Sequence, residues 1–344
     1  MNVALVIERM HPRRGGRETS VAQIAGELAR RGHAVTILCQ QGQLEAPGVA
    51  VRPLAPPGAP TKGADALLRF SSAVSQAAGE FDVVHATLPL PGATVYQPRG
   101  GTLPGQAAAR RRRHGLLSNL LATAGNRFNA VRRLRGEYER QLVEDPRCLH
   151  LPVSRMVAEE YAHHYGLTDR VKVVYNAVAT PDFGDVGRAS CREEFRNRHR
   201  IDAGDLVFLT AATNFPLKGV PQLMRAFSRW SAESPAGKNA KLVAAGSRDV
   251  QRYRALAKRL NAADRIIVEP GLPPEVMSMA FAAADAVALL SWYDPCSRVV
   301  LEGVRLGLPG MTTLHNGAGE VLVRHGAGEI VRDPDDERAI TDGL

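Results

Sequence analysis

Two carboxylates, Asp294 and Glu302, stand eight residues apart around the run Pro295-Cys296-Ser297-Arg298-Val299-Val300-Leu301. Eight residues are a little over two turns of an α-helix. With the apolar run helical, both acids can point to one side of a crevice, Asp294 from the loop before the helix and Glu302 from its second turn. The backbone N–H groups near Ser297 and Arg298 would face an anion placed between them. An acid for a sugar, amides for a phosphate and an acid for a ribose form a layout that suits a nucleotide sugar. Asp-Pro is equally a common loop-to-helix entry, and Glu302 would then be a solvated helix residue.

Four other places invite the same double reading. Gly15-Gly16-Arg17-Glu18 falls between the first strand and the first helix. There it would let the backbone approach a phosphate at a helix N-terminus, or simply form a flexible turn. It is not a G-x-G-x-x-G fingerprint, which argues against a plain dinucleotide fold. Lys218-Gly219 follows Asn214-Phe215-Pro216-Leu217. That lysine would reach a diphosphate as a point charge, or stay solvated in its loop. His85 closes a strand, either as a site residue or as a partly buried imidazole satisfied by backbone. Gly317-Ala318-Gly319-Glu320, after His315-Asn316, is a second glycine loop opening a short helix. An acid at a helix start is stabilising in any protein.

These residues need elements to hold them at strand ends. Strand-like runs at Val3–Ile7, Ala34–Cys39, Val49–Leu54 and Phe81–Ala86 alternate with helical runs at Thr19–Arg31 and Leu67–Ala78. Leu149–Ser154 and Val171–Tyr175 read as further strands, and Asn176–Ser190 as a Gly-, Asp- and Pro-bearing loop. A second α/β series follows. Its expected strands are Leu206–Ala211, Lys241–Ala245, Arg265–Val268, Ala286–Ser291 and Met311–Thr313. Its expected helices are Val220–Ser231, Gln251–Leu260 and Pro274–Ala283. Repeated β-α-β units imply parallel sheets covered on both faces. The expectation is an α/β chain of two doubly wound, Rossmann-like domains facing a cleft. Residues 1–176 form the first, with a basic amphipathic insertion at about 106–143, and residues 177–344 the second. Every residue singled out above falls at a strand end, where such sheets bind ligands.

The bulk properties agree with this. A length of 344 residues suggests two domains, and 44% apolar with 23% charged residues is ordinary for a globular protein. Cys39, Cys148, Cys191 and Cys296 form no C-x-x-C pair, so neither a disulfide framework nor a zinc site is expected and a reducing cytosol fits. No apolar run is long enough to span a bilayer. The N-terminus reads as a buried strand and not as a signal peptide. The net charge of +9 is concentrated: Arg110, Arg111, Arg112, Arg113, Arg127, Arg132, Arg133, Arg135 and Arg140 stand against Glu137 and Glu139, so this segment supplies +7 of it. A local basic patch implies a local anionic partner: a membrane surface, nucleic acid or an acidic glycolipid. Leu117, Leu121, Ala124, Phe128, Val131, Tyr138 and Leu142 lie on a helical stripe beside these arginines. The stripe would either lie on an anionic membrane or pack against its own domain. With 5% aromatics and no stacking set, nucleic acid is not an expected partner.

Taken together the motifs resemble those of the GT-B glycosyltransferases of family 4, a family of retaining enzymes, from Met1 to about Glu337. Asp294–Glu302 is similar to the family's E-x7-E with Asp in first place, and Gly307-Leu308-Pro309 to its G-x-P. Gly317–Glu320 is similar to its G-G-x-x-E, Lys218-Gly219 to its K-G, and Tyr175-Asn176-Ala177-Val178 to its hinge. Within the family, Leu90-Pro91-Gly92-Ala93-Thr94-Val95-Tyr96 and the basic insertion after it resemble the lipopolysaccharide core glucosyltransferases. In that group the insertion is associated with the inner leaflet.

The resemblance implies that Glu302 holds the ribose and that Asp294 accepts hydrogen bonds from the donor sugar. It implies that Lys218, with the Gly15-Gly16 loop and amides near Ser297 and Arg298, stabilises the departing diphosphate. The acceptor would enter near Gly15, His85 and Leu88–Gly92. It further implies transfer of a hexose, with retention, from a nucleotide diphosphate sugar to a lipid-linked or lipopolysaccharide-core-like hydroxyl. No metal and no cofactor besides the donor would be needed. The enzyme would sit in the cytoplasm, peripheral at the inner membrane through Arg110–Arg140. The alternatives are a non-catalytic sugar-nucleotide- or glycan-binding relative and a GT-B sugar-nucleotide epimerase.

Three positions depart from the family. Thr213 stands where an arginine is usual, and Thr87 where its H-x-H has the second histidine. Gly310 stands where a strand valine is usual, and should weaken that strand. The sequence also stops at Leu344, early in what reads as a further helix, so a fragment lacking a crossover helix is one expectation.

Overall fold

The structure, a computed structural model, describes residues 1–11, 15–113 and 129–344. The chain divides into two compact units, Met1–Asn176 and Ala177–Leu344. Each is built on a six-stranded, all-parallel sheet with helices between its strands.

In the first unit the strands are β1 (Asn2–Val6), β3 (Ala34–Cys39), β5 (Val49–Pro53), β6 (Val83–Ala86), β7 (Val95–Tyr96) and β8 (Leu149–His150), in the order β5-β3-β1-β6-β7-β8. A two-residue pair, β2 (Arg9–Met10) with β4 (Gln41–Gly42), extends past their ends. In the second unit β9 (Leu206–Ala211), β10 (Ala240–Ala245), β11 (Ile266–Glu269), β12 (Ala286–Leu289), β13 (Gly310–Thr313) and β14 (Gly328–Val331) run in the order β11-β10-β9-β12-β13-β14. Both orders are the doubly wound 3-2-1-4-5-6 pattern. It reverses between β1 and β6 in one sheet and between β9 and β12 in the other, and a crevice opens at each reversal.

The helices form where apolar residues recur at helical spacing. Val220, Leu223, Met224, Phe227 and Trp230 of the Val220–Glu233 helix are all buried against β9, β10 and the Val250–Arg259 helix. Each such burial stabilises by about 1.5–3 kcal/mol. The Gly187–Arg198 helix has a different cause and was not expected from periodicity. It is largely polar, and Arg192 and Arg196 fix it by reaching the two oxygens of Asp285, at 2.8 and 2.9 Å. Asp285 Oδ2 also accepts from the Val207 amide, tying the helix to β9.

Two expected strands are shorter or absent. The run from Leu149 pairs only over two residues, since Pro152 has no N–H and Ser154 turns to cap the Arg155–Tyr165 helix. Val171 makes a single bridge to His150. Conversely, β13 forms from Gly310 onward despite the expectation of weakness. Gly310 pairs with Val287 on one side and Gly328 on the other. A side chain on Gly310 would come within 2.9 Å of Leu322, so its bareness lets the Gly319–His325 helix close onto the strand.

Of the basic segment, a helical run at 103–113 and the Ala130–Glu144 helix are described; Leu117, Leu121, Ala124, Arg127 and Phe128 lie outside the described residues. Tyr138 and Leu142 pack into the core of the first unit, with Val131 and Leu134 beside them. This part of the stripe therefore faces its own domain. Glu139 is not a surface counter-charge: it is fully buried and accepts hydrogen bonds from the Leu103 amide at 2.8 Å, Tyr165 Oη at 2.6 Å and Tyr96 Oη at 3.1 Å. Burial pushes its carboxyl above the usual range, against the lowering effect of these donors. Among the described residues no helix is long and apolar enough to cross a membrane.

Candidate active site

In the second unit the polar residues gather where the strand order reverses. The chain leaves β9 through a turn in which the Asn214 side chain accepts from the Leu217 amide and its carbonyl from the Lys218 amide. Gly219 then takes φ +64°, and a side chain there would lie 1.9 Å from the Leu290 carbonyl oxygen. Only glycine permits this approach between the loop after β9 and the end of β12. The Trp292 amide donates to the Leu217 carbonyl at 3.0 Å and completes the junction.

That junction sets Lys218 beside Asp294. Lys218 Nζ donates to Asp294 Oδ2 at 2.7 Å and to the Tyr293 carbonyl at 3.2 Å. An ammonium carries three protons, so one remains for a further acceptor. The pair is mostly shielded from water, with side-chain exposures of 20% and 13%. Asp294 is itself held by backbone: its amide donates to the His315 carbonyl and its carbonyl accepts from the Gly317 amide.

The Arg298–Arg305 helix follows, so Asp294 lies in the loop before it and Glu302 in its second turn. Gly303 allows the helix to lie close on β12, since a side chain there would meet Val287 at 2.6 Å. Arg298 pairs with Glu302 at 3.2 Å and donates to the Ala177 carbonyl at 2.9 Å. Burial raises the Glu302 carboxyl above its ordinary value, with Arg298 opposing.

Sequence reasoning assigned no role to Asn316, yet it organises this corner. Its buried side-chain oxygen accepts from the amides of Ser297 at 3.2 Å and Ala318 at 3.1 Å, and its nitrogen donates to Ser297 Oγ and Thr312 Oγ1. The Ser297 amide, expected to face an anion, is thus already engaged. Its place just before the glycine loop Gly317-Ala318-Gly319 was the available signal.

The first unit has its own strand-end group. Gly15 precedes the Gly16–Arg30 helix in extended backbone that any residue adopts, and its carbonyl accepts from the Thr19 amide and hydroxyl. The amides of the first turn, from Gly16 onward, have no acceptor within the helix. His85 lies in β6, paired with Leu5 and Val95. Its Nε2 is buried and has no partner among the described residues, so backbone does not satisfy it. Burial, with Arg99 nearby, pushes its pKa down to about 4, while a hydrogen bond with Gln97 opposes this. Thr87 turns inward instead, its hydroxyl donating to the Val6 carbonyl at 3.0 Å. Among the described residues no three His, Cys, Asp or Glu side chains converge as a metal-binding group.

Comparison with known proteins adds a family. Residues 14–181 match the model of Glycosyltransferase Family 4, and residues 191–344 that of Glycosyl transferases group 1. A D-inositol 3-phosphate glycosyltransferase of Acidothermus cellulolyticus is 28% identical over 356 residues, covering 90% of this chain and 74% of that protein. Among solved structures, WaaG, a glycosyltransferase involved in lipopolysaccharide biosynthesis, is similar with a TM-score of 0.78 at 20% identity, covering 99% of this chain and 89% of that one. Anabaena Alr3699/HepE in complex with UDP-glucose is similar with a TM-score of 0.68 at 19% identity, with coverage of 99% and 89%. At these identities the two structures show a shared fold.

Proposed function

Because the chain belongs to the GT-B glycosyltransferases, we propose that it transfers a hexose, with retention, from a nucleotide diphosphate sugar to a saccharide or glycolipid hydroxyl of the lipopolysaccharide-core type. The observation that carries this reading is the Lys218–Asp294 pair at the reversal point of the second sheet, with Glu302 in the second turn of the adjoining helix.

Each residue has a role that follows from its surroundings. Lys218 uses two protons to fix itself against Asp294 and Tyr293, and offers the third to the departing diphosphate. Charge stabilisation aimed at a leaving group is usually the largest catalytic contribution. Asp294 Oδ1 accepts from the Cys296 amide and, with Oδ2, turns acceptor capacity toward the hydroxyls of the donor sugar. Glu302, oriented by Arg298, takes the ribose hydroxyls. In the first unit, the first-turn amide of Gly16 is free to meet an anion, with the neighbouring Gly15 setting the start of that helix. His85, neutral near pH 7, serves the acceptor side. A role for the Arg298 amide stands beside that of Lys218, while the Ser297 amide keeps its bond to Asn316.

The names of the relatives support this range of substrates: one structure holds UDP-glucose, one protein works in lipopolysaccharide biosynthesis, and one is named for an inositol phosphate acceptor. The arginines of Arg110–Arg140 other than Arg135, which is paired with Glu8, would place the enzyme on an anionic membrane surface, at the cytoplasmic face, each contributing about 1 kcal/mol near the headgroups.

The test is a panel of UDP-glucose, UDP-GlcNAc, GDP-mannose and ADP-heptose, scored by thermal shift and by anomeric analysis of the released sugar. A selective shift with slow, retaining hydrolysis is the expected result. Conversion of the donor into an epimer without hydrolysis, or no shift with any donor, would overturn the reading.

A further inference from the structure

A cavity of ≈ 360 Å³ opens in the first unit beside the ends of β1 and β3. That is within the range of small-ligand sites, about 300–1,000 Å³. Its wall carries four cations from four segments, Arg9, Arg17, Lys62 and Arg135, and two carboxylates, Glu8 and Glu18. The arrangement is held in place. Glu8 receives Arg135 Nη2 at 2.5 Å on one oxygen and has Arg17 Nη1 3.9 Å from the other. Arg9 Nη2 donates to Thr61 Oγ1 at 2.8 Å, next to Lys62. Among the described residues Lys62 makes no ion pair, and Arg135 Nε is buried without a hydrogen-bond partner.

This lining has two kinds of demand at once. Four cations exceed two carboxylates, so a neutral ligand leaves positive charge uncompensated. Arginine forks and a lysine are suited to the oxygens of a phosphate. Glu8 and Glu18 only accept hydrogen bonds when ionised, so a bare anion would be repelled by them while a hydroxyl would be bound. One molecule meets both demands: a polyol bearing a phosphate monoester.

We propose that this cavity is the acceptor site and that the acceptor is a phosphorylated sugar or polyol, with Lys62 and Arg9 selecting the phosphate and Glu8 and Glu18 the hydroxyls. The inference rests on the reading of the first unit as the acceptor side. The phosphate can belong to a free sugar phosphate or to a phosphorylated glycan, and the chemistry of recognition is the same.

The experiment is calorimetric titration of the full chain with glucose 6-phosphate and an inositol monophosphate, beside glucose, inorganic phosphate and, separately, UDP. The expected result is at least tenfold tighter binding of the phosphorylated polyols than of glucose or phosphate alone. Lys62→Ala and Arg9→Gln should each weaken that binding fivefold or more, with UDP affinity within twofold of the parent. Lipooligosaccharide micelles with and without their phosphates then separate a glycan-borne phosphate from a free one. A preference for the phosphorylated micelle supports the former, and binding of the soluble compounds alone the latter. Intact UDP binding with no binding of either form would overturn this inference while leaving the donor site standing. So would binding unaffected by both substitutions, or displacement of the sugar phosphate by UDP, which would assign the cations to the donor. Phosphatidylglycerol vesicles without sugar are the last arm. Lost vesicle binding in the two variants, with sugar-phosphate binding unchanged, would assign the cations to lipid headgroups and overturn it too.

Discussion

Lys218 Nζ and Asp294 Oδ2 lie 2.7 Å apart although 76 residues separate them in the chain. They come from the loops after β9 and β12, the two strands flanking the reversal of the second sheet. The pair spans the crevice that this topology creates, so each residue alone should be replaceable without unfolding the unit, yet not without cost to turnover. We expect Lys218→Ala to lower kcat by about 10²–10³, as for removal of one preorganised donor to a developing charge. KM for the donor should change much less. Steady-state kinetics with the selected nucleotide sugar checks this, and an unchanged kcat would remove Lys218 from the leaving-group site.

Glu302 separates binding from folding. Its carboxyl is raised by burial, so the unfolded chain ionises first as pH rises, and folded stability falls across the window from the ordinary value of 4.5 to the raised one. Glu302→Gln removes that loss. The variant should melt no lower than the parent at pH 7, while its nucleotide affinity drops by about 1–3 kcal/mol for a lost charged hydrogen bond. Calorimetric titration with UDP and a thermal melt on the same sample decide it; a lower melting temperature with unchanged UDP affinity would make Glu302 a structural residue.

His85 gives the first unit an acid sensitivity. Its folded pKa of about 4 lies below the ordinary 6.5. At pH above 6.5 the imidazole is neutral in both states. Between 6.5 and 4 the unfolded chain takes up a proton that the folded one refuses, so stability falls as pH drops, by about 3 kcal/mol in total. His150, also pushed down to about 4 by burial, adds a similar slope. Urea midpoints from pH 7 to 4 should show the decline, and His85→Gln should flatten part of it. A parallel curve for the variant would refute the assignment.

Gly219→Ala tests the junction beneath the site. A left-handed backbone at φ +64° and a methyl group 1.9 Å from the Leu290 oxygen cannot both be kept. The strain alone should remove about 1–3 kcal/mol of stability. A urea midpoint equal to that of the parent would show that the loop after β9 has room to shift.

Much of this was legible in the residues. β3 and β9 and the Pro274–Ala283 helix have the bounds that their apolar patterns indicate, because each satisfies its own hydrogen bonds locally or against a like neighbour. The Gly187–Arg198 helix was not legible. Its cause is Asp285, about ninety residues away, and no periodicity in the helix records it. Asn316 escaped for a similar reason: two of its four hydrogen bonds go to Ser297, nineteen residues earlier, which only the fold brings beside it. Glu139 was counted as a surface charge because helical spacing says which residues share a face, and not whether a carboxylate on that face meets water or two tyrosines.

That last carboxylate has a consequence for how the protein can vary. The Leu103 amide binds Glu139 directly, so the chain departs from and returns to one anchored spot. Glu139 thus ties the run at 103–113 to the Ala130–Glu144 helix, whose Tyr138 and Leu142 lie in the core and whose Arg135 lines the cavity, so a change near Leu103 is felt in both.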